Sequence, residues 1–146
     1  MTLTSCPCLV IRRMCPSPVI LSAAVEGSVD EAVLRASIAA VGGRLDRVFG
    51  KRGKAFLRER ARGYNSAGEN SPWVILVDLD NEADCAPEMR DAWLPVASRF
   101  MCFRIAVRAI ETWLLADRTR LARFLSIPVG RIPASPETIS NPKQFM

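Results

Sequence analysis

The chain has 146 residues, 49% hydrophobic and 24% charged, proportions that suit one globular domain and exclude collagen, coiled-coil rods and low-complexity tails. Twenty Lys and Arg against fifteen Asp and Glu leave a formal charge of +5, a mild surplus that favours polyanions. Histidine is absent, which excludes Ser-His-Asp triads, Cys-His pairs and His-ligated zinc, so any catalysis runs on carboxylates, Lys, Cys or a metal.

Three of the five cysteines, Cys6, Cys8 and Cys15, crowd the start, while Cys85 and Cys102 stand alone. An odd, uneven set is not a disulfide framework, and a zinc site lacks its fourth ligand, so reduced thiols of a cytoplasmic protein are expected. Residues Met1 to Ser17 have no periodicity and read as a loose extension before a domain at 18–146. No apolar run reaches the roughly 18 residues of a membrane span.

From Pro18 onward, short apolar runs alternate with helical stretches, the pattern of βαβ units around a mainly parallel sheet. Val19–Val25 is the first expected strand. Leu34, Ile38 and Val41 mark an amphipathic helix that stops at Gly42-Gly43. Arg47–Phe49 is a short second strand, Lys54 to Arg62 a basic helix, and Gly63 to Pro72 a turn-rich loop holding the sole tyrosine, Tyr64. Trp73–Val77 is continuously apolar, as a strand covered on both faces must be. Pro87 suits a first helical turn, and that helix, ending at Trp93, leads to a fourth strand, Phe100–Val107. Ile110, Trp113 and Leu114 repeat at helical spacing, and Asp117 caps a further helix that Pro128 ends. The expected core is Ile20, Leu34, Ile38, Val74, Leu76, Ile105, Trp113 and Leu114.

Asp78 and Asp80 stand two apart at the carboxyl end of the third strand, where open α/β sheets place ligands and where two carboxylates on one face can share a hard cation. The same pair also reads as an ordinary strand terminator. Glu26 stands at another strand end, beside Gly27, which permits a tight turn or a close ligand. Asp30 and Glu31 follow it, and acids in a first helical turn also complement the helix dipole. Glu111 comes just after the fourth strand. Lys51, Arg52, Lys54, Arg58, Arg60 and Arg62 form a basic segment suited to phosphate contact or to a solvated helix face. Gly50-Lys51-Arg52-Gly53-Lys54 is too short for a Walker loop, which argues against an ATPase.

Val25-Glu26-Gly27-Ser28-Val29-Asp30-Glu31, Val77-Asp78-Leu79-Asp80 and Ile110-Glu111-Thr112-Trp113-Leu114-Leu115-Ala116-Asp117 together resemble the Toprim-like domains of unknown function of bacterial phage-defence loci. Those domains are relatives of the overcoming-lysogenization-defect nucleases and, more distantly, of topoisomerases and primases. The ending Asn141-Pro142-Lys143 is also similar. The resemblance implies an α/β, Toprim-like (Rossmann-like) domain with a mainly parallel four-stranded sheet flanked by helices, shortened at its C-terminus. It implies a Mg²⁺- or Mn²⁺-dependent phosphodiester hydrolase acting on DNA or RNA, with a non-catalytic nucleic-acid or partner-binding subunit as the alternative. Glu26, Asp78, Asp80 and Glu111 match the catalytic acids, and these with Asp30, or Glu31 in its place, match the metal ligands. Lys51, Arg52, Lys54 and Arg58 would hold the nucleic-acid backbone. A separately encoded ATPase is the expected partner, docking on exposed Trp93, Phe145 and the region Ile127–Ile132.

Overall fold

The computed structural model describes residues 17–139 and 141–145; the cysteine-rich start, with Cys6, Cys8 and Cys15, lies outside them. Four strands, β1 (Ile20–Val25), β2 (Arg44–Gly50), β3 (Trp73–Asp78) and β4 (Met101–Ala106), form one sheet in the order β2-β1-β3-β4. All three pairings are parallel. The fold is thus α/β and Rossmann-like, and the strand order reverses between β1 and β3.

Helices α1 (Ser28–Ala40), α2 (Lys54–Ala67), α3 (Ala86–Trp93), α4 (Ile110–Ala116) and α5 (Arg118–Leu125) connect and follow the strands, with a last short helix α6 at Pro142–Phe145. A right-handed crossover puts its helix on one face when the chain steps one way along the sheet and on the other when it steps back. Leu34 of α1 and Ile110 of α4 accordingly share a core with Ala23, Val25, Val74, Leu76 and Ala106. Leu57 and Ala61 of α2 and Met89 and Trp93 of α3 cover the opposite face with Ala24, Ile75, Val77 and Phe103. Every residue of β3 is buried, which is why its sequence is unbroken apolar until Asp78. A third, smaller cluster joins Leu115, Ala122 and Ile132.

Several details depart from the sequence reading. Helix α2 runs past Arg62 to Ala67, so Tyr64 lies in a helix, its ring stacked on Trp73 at a centroid distance of 5.3 Å; that packing outweighs the cost of Gly63. Strand β2 starts at Arg44, because Arg44 N–H donates to the Val19 carbonyl before the apolar residues begin. Ile20 and Trp113 are exposed, at 47% and 44%. Ile20 stands at the open start of β1, and in α4 the inward positions are Ile110, Thr112 and Leu115. Trp93 and Ile132, expected on the surface, are core residues with 5% and 2% exposure; Trp93 closes the end of α3 against Phe103. Phe145 is exposed as expected. Among the described residues no helix is long and apolar enough to cross a membrane.

Candidate metal centre

The carboxyl ends of β1 and β3 meet where the strand order reverses, the crevice in which open α/β sheets bind ligands. Glu26 follows β1 directly and its Oε1 accepts the Asp78 N–H at 2.8 Å. Asp78 ends β3 with 2% exposure, and its Oδ1 accepts the Ile110 N–H at 2.8 Å, tying the start of α4 to the sheet. Asp80 is brought back by a turn rather than by strand alternation: its φ is 49°, and its N–H donates to the Arg108 carbonyl at 2.7 Å. One carboxylate oxygen each from Glu26, Asp78 and Asp80 then lie within 4.8 Å of one another. Three hard oxygen donors at that spacing suit a divalent cation that prefers oxygen ligands.

Asp30 and Glu111 stand outside this triplet but beside it. Asp30 is 6% exposed; its Oδ2 accepts the Gly27 N–H at 2.9 Å. Its Oδ1 and the Oε2 of Glu111 are buried without a hydrogen-bond partner among the described residues. Burial pushes the Asp30 carboxyl above the ordinary range, and the nearby charges of Asp78 and Glu111 add to this, against hydrogen bonds from Gly27 and its own N–H. Leaving a carboxylate oxygen buried and unsatisfied costs about 1–3 kcal/mol or more, which bound ligand or metal at this point would recover. Glu31 faces elsewhere, paired to Arg35 at 2.8 Å and Lys51 at 2.9 Å. Those two hydrogen bonds pull its carboxyl below the usual value, so Asp30 is the acid that accompanies the triplet.

Burial raises the Glu26 carboxyl from its ordinary 4.5 to about 7; the charges of Asp78 and Asp80 add to this, while the Asp78 N–H and Lys54 oppose it. Two lysines balance the cluster. Lys54, at the start of α2, lies 2.6 Å from Asp80 Oδ2. Lys143 of α6 lies 2.9 Å from Asp78 Oδ2 and 3.7 Å from Asp80 Oδ1. Burial draws the Lys143 ammonium down, but the hydrogen bond to Asp78 and the charges of Asp78, Asp80 and Glu111 outweigh it, and the net shift is upward.

Lys54 therefore pairs with the carboxylate cluster, as Lys143 does. Of the other basic residues, Lys51 pairs with Glu31, and Arg58 pairs with Glu82 at 3.1 Å and lies over the Trp93 ring. Arg52, just before α2, and Arg60 within it both lie over Phe56, 4.7 and 4.0 Å from the ring centroid. Lys143 is the residue whose role the sequence did not disclose: it stands in Asn141-Pro142-Lys143, more than 60 residues from Asp78 in the chain, with no local pattern linking the two. Arg108 is similarly hidden in an undistinguished turn. Comparison with protein-family models, curated proteins and solved structures finds no match to the chain.

Proposed function

We propose that the chain is a divalent-metal-dependent phosphodiester hydrolase of the Toprim type, acting on DNA or RNA. The observation that carries this reading is the convergence of Glu26, Asp78 and Asp80 within 4.8 Å at the sheet's reversal point. Mg²⁺ or Mn²⁺ bound there would supply Lewis-acid polarisation of a phosphoryl oxygen and an acidified water. Glu26, Asp78 and Asp80 would hold the ion. The unsatisfied oxygens of Asp30 and Glu111 offer ligands to a second. Lys143, already at the carboxylates, would keep its ammonium beside a phosphate brought to them. Arg52, just before α2, and Arg60 on it would meet neighbouring phosphates, with affinity that falls as salt rises.

The lysine pairs support a second reading, a non-catalytic docking module: Lys54 and Lys143 neutralise the acids without any metal. A separately encoded ATPase and a role in phage defence in the cytoplasm extend the first reading; of the surface expected for its docking, Trp93 and Ile132 are buried, while Phe145 and Val129 are exposed.

The test is hydrolysis of labelled single- and double-stranded DNA and RNA with Mg²⁺ or Mn²⁺, by wild type and by the Asp78→Asn, Asp80→Asn double variant. Metal-dependent cleavage lost in the variant supports the hydrolase. The absence of cleavage, together with thermal stability unmoved by Mn²⁺ in the wild type, supports the docking module.

A further inference from the structure

We infer that the cavity beside the carboxylates is a phosphate subsite, which takes the backbone phosphate next to the one held at Glu26, Asp78 and Asp80. The inference rests on the hydrolase reading and adds the feature of the substrate that the site selects. The cavity measures about 260 Å³ and is lined by Asp80, Asn81, Arg108, Ala109, Asn141, Pro142 and Lys143. That is below the roughly 300–1,000 Å³ of a site for a drug-sized molecule, room for a phosphate and part of its sugar rather than a base.

The chemistry of the lining selects an oxyanion. Arg108 and Lys143 contribute two cations. Asn81 Oδ1 already accepts from Arg108 Nη1 at 3.1 Å, and Asn141 Oδ1 accepts from the Gln144 N–H at 3.2 Å. Each amide oxygen thus already accepts a bond, and the two unused NH₂ groups are donors that suit a phosphate oxygen. Arg108 uses Nη1 toward Asn81 and, at 3.5 Å, the Asp80 carbonyl, and a guanidinium carries further donors in the planar array that matches phosphate. Asp80 is the one carboxylate of the lining, and Lys54 lies 2.6 Å from its Oδ2.

The backbone holds this wall in an unusual conformation. Asp80 and Arg108 both have positive φ, 49° and 63°, and the Asp80 N–H bonds the Arg108 carbonyl. For a residue with a long side chain such a φ costs free energy that Asn would largely avoid. Arg108→Asn therefore removes the guanidinium while suiting the backbone conformation.

The experiment measures binding of the dinucleotides pTpT and TpT to the full chain by calorimetry, in Ca²⁺ and again in EDTA, with inorganic phosphate as a third probe. Wild type is expected to bind pTpT at least tenfold more tightly than TpT in Ca²⁺ and, more weakly, to keep that preference in EDTA. Arg108→Asn should unfold at the wild-type temperature or above, keep its stabilisation by Mn²⁺, and lose the preference; Arg108→Lys should retain part of it. Equal affinity of wild type for the two dinucleotides, or an undiminished preference in Arg108→Asn, overturns the subsite. Inorganic phosphate that binds as tightly as pTpT makes the free ion the ligand and overturns the assignment to a strand. If the metal reading alone fails, Mn²⁺ leaves stability unmoved while the preference in EDTA survives.

Discussion

Replacing Glu26 with Gln should make the metal-free protein more stable at pH 8 and leave it unchanged near pH 4. Glutamine keeps an oxygen to accept the Asp78 N–H, now at 2.8 Å, and removes the charge. The folded-state pKa of about 7 lies above the ordinary 4.5, chiefly because of burial, so between these values the folded chain holds a proton that the unfolded chain has released. The sign follows: this group's contribution is fully present below about pH 4.5 and is lost as pH rises through about 7. Each pH unit of such a gap is worth at most about 1.4 kcal/mol, and partial access of water to Glu26 reduces the whole effect to on the order of 1–2 kcal/mol. In a domain of this size that is roughly 3–6 °C in melting temperature. Thermal unfolding of wild type and Glu26→Gln in EDTA from pH 4 to 8.5 reads it directly: the curves should coincide near pH 4, separate between about 4.5 and 7, and keep a constant gap above that, with the variant higher. A gap independent of pH, or a variant less stable at pH 8, would refute the argument that the Glu26 charge is buried at a cost in the metal-free state.

Lys143→Gln should leave the buried Asp78 carboxylate without its ammonium, lowering stability by about 1 kcal/mol given the half-exposed lysine, while Mn²⁺ binds more tightly because a competing cation is gone; urea unfolding and calorimetry measure the two opposite effects. Gly50 has a φ of +87°, and an added Cβ would collide with the Val25 carbonyl and Leu57, so Gly50→Ala should cost more than about 2 kcal/mol in chemical denaturation. Changing Arg52 and Arg60 together to Gln should reduce the slope of log affinity for single-stranded DNA against log salt by about 1–2 if each guanidinium meets one phosphate. An unchanged slope would remove α2 from the nucleic-acid path.

The order of strands and helices was legible because each element announces itself locally. Trp73–Val77 could only be a doubly covered strand, Asp117 does cap α5, its Oδ1 accepting from Arg120 N–H, and Gly42 does end α1 with a φ of 79°. Boundaries set by tertiary contacts were not legible. Tyr64 is helical and stacks on Trp73, and Ile20 is exposed because no described residue covers the start of β1. The site was legible in part for the same reason. Glu26 and Asp78 sit at strand ends, which parallel strands bring to one edge, whereas Asp80 arrives through a left-handed turn held by Arg108. The choice between Asp30 and Glu31 depended on Lys51, which is distant in the chain and reaches Glu31 only on folding, beside the local i,i+4 partner Arg35. The pairing of Lys54 with Asp80 was not legible, because a charge and not a distance is visible in a sequence.

The most direct test of the central claim is an anomalous difference map from a crystal of this protein soaked in Mn²⁺. The account predicts a peak coordinated by Glu26, Asp78 and Asp80, with the Lys143 ammonium displaced from Asp78. A map without a peak at these carboxylates, with Lys143 still paired to Asp78, would contradict it.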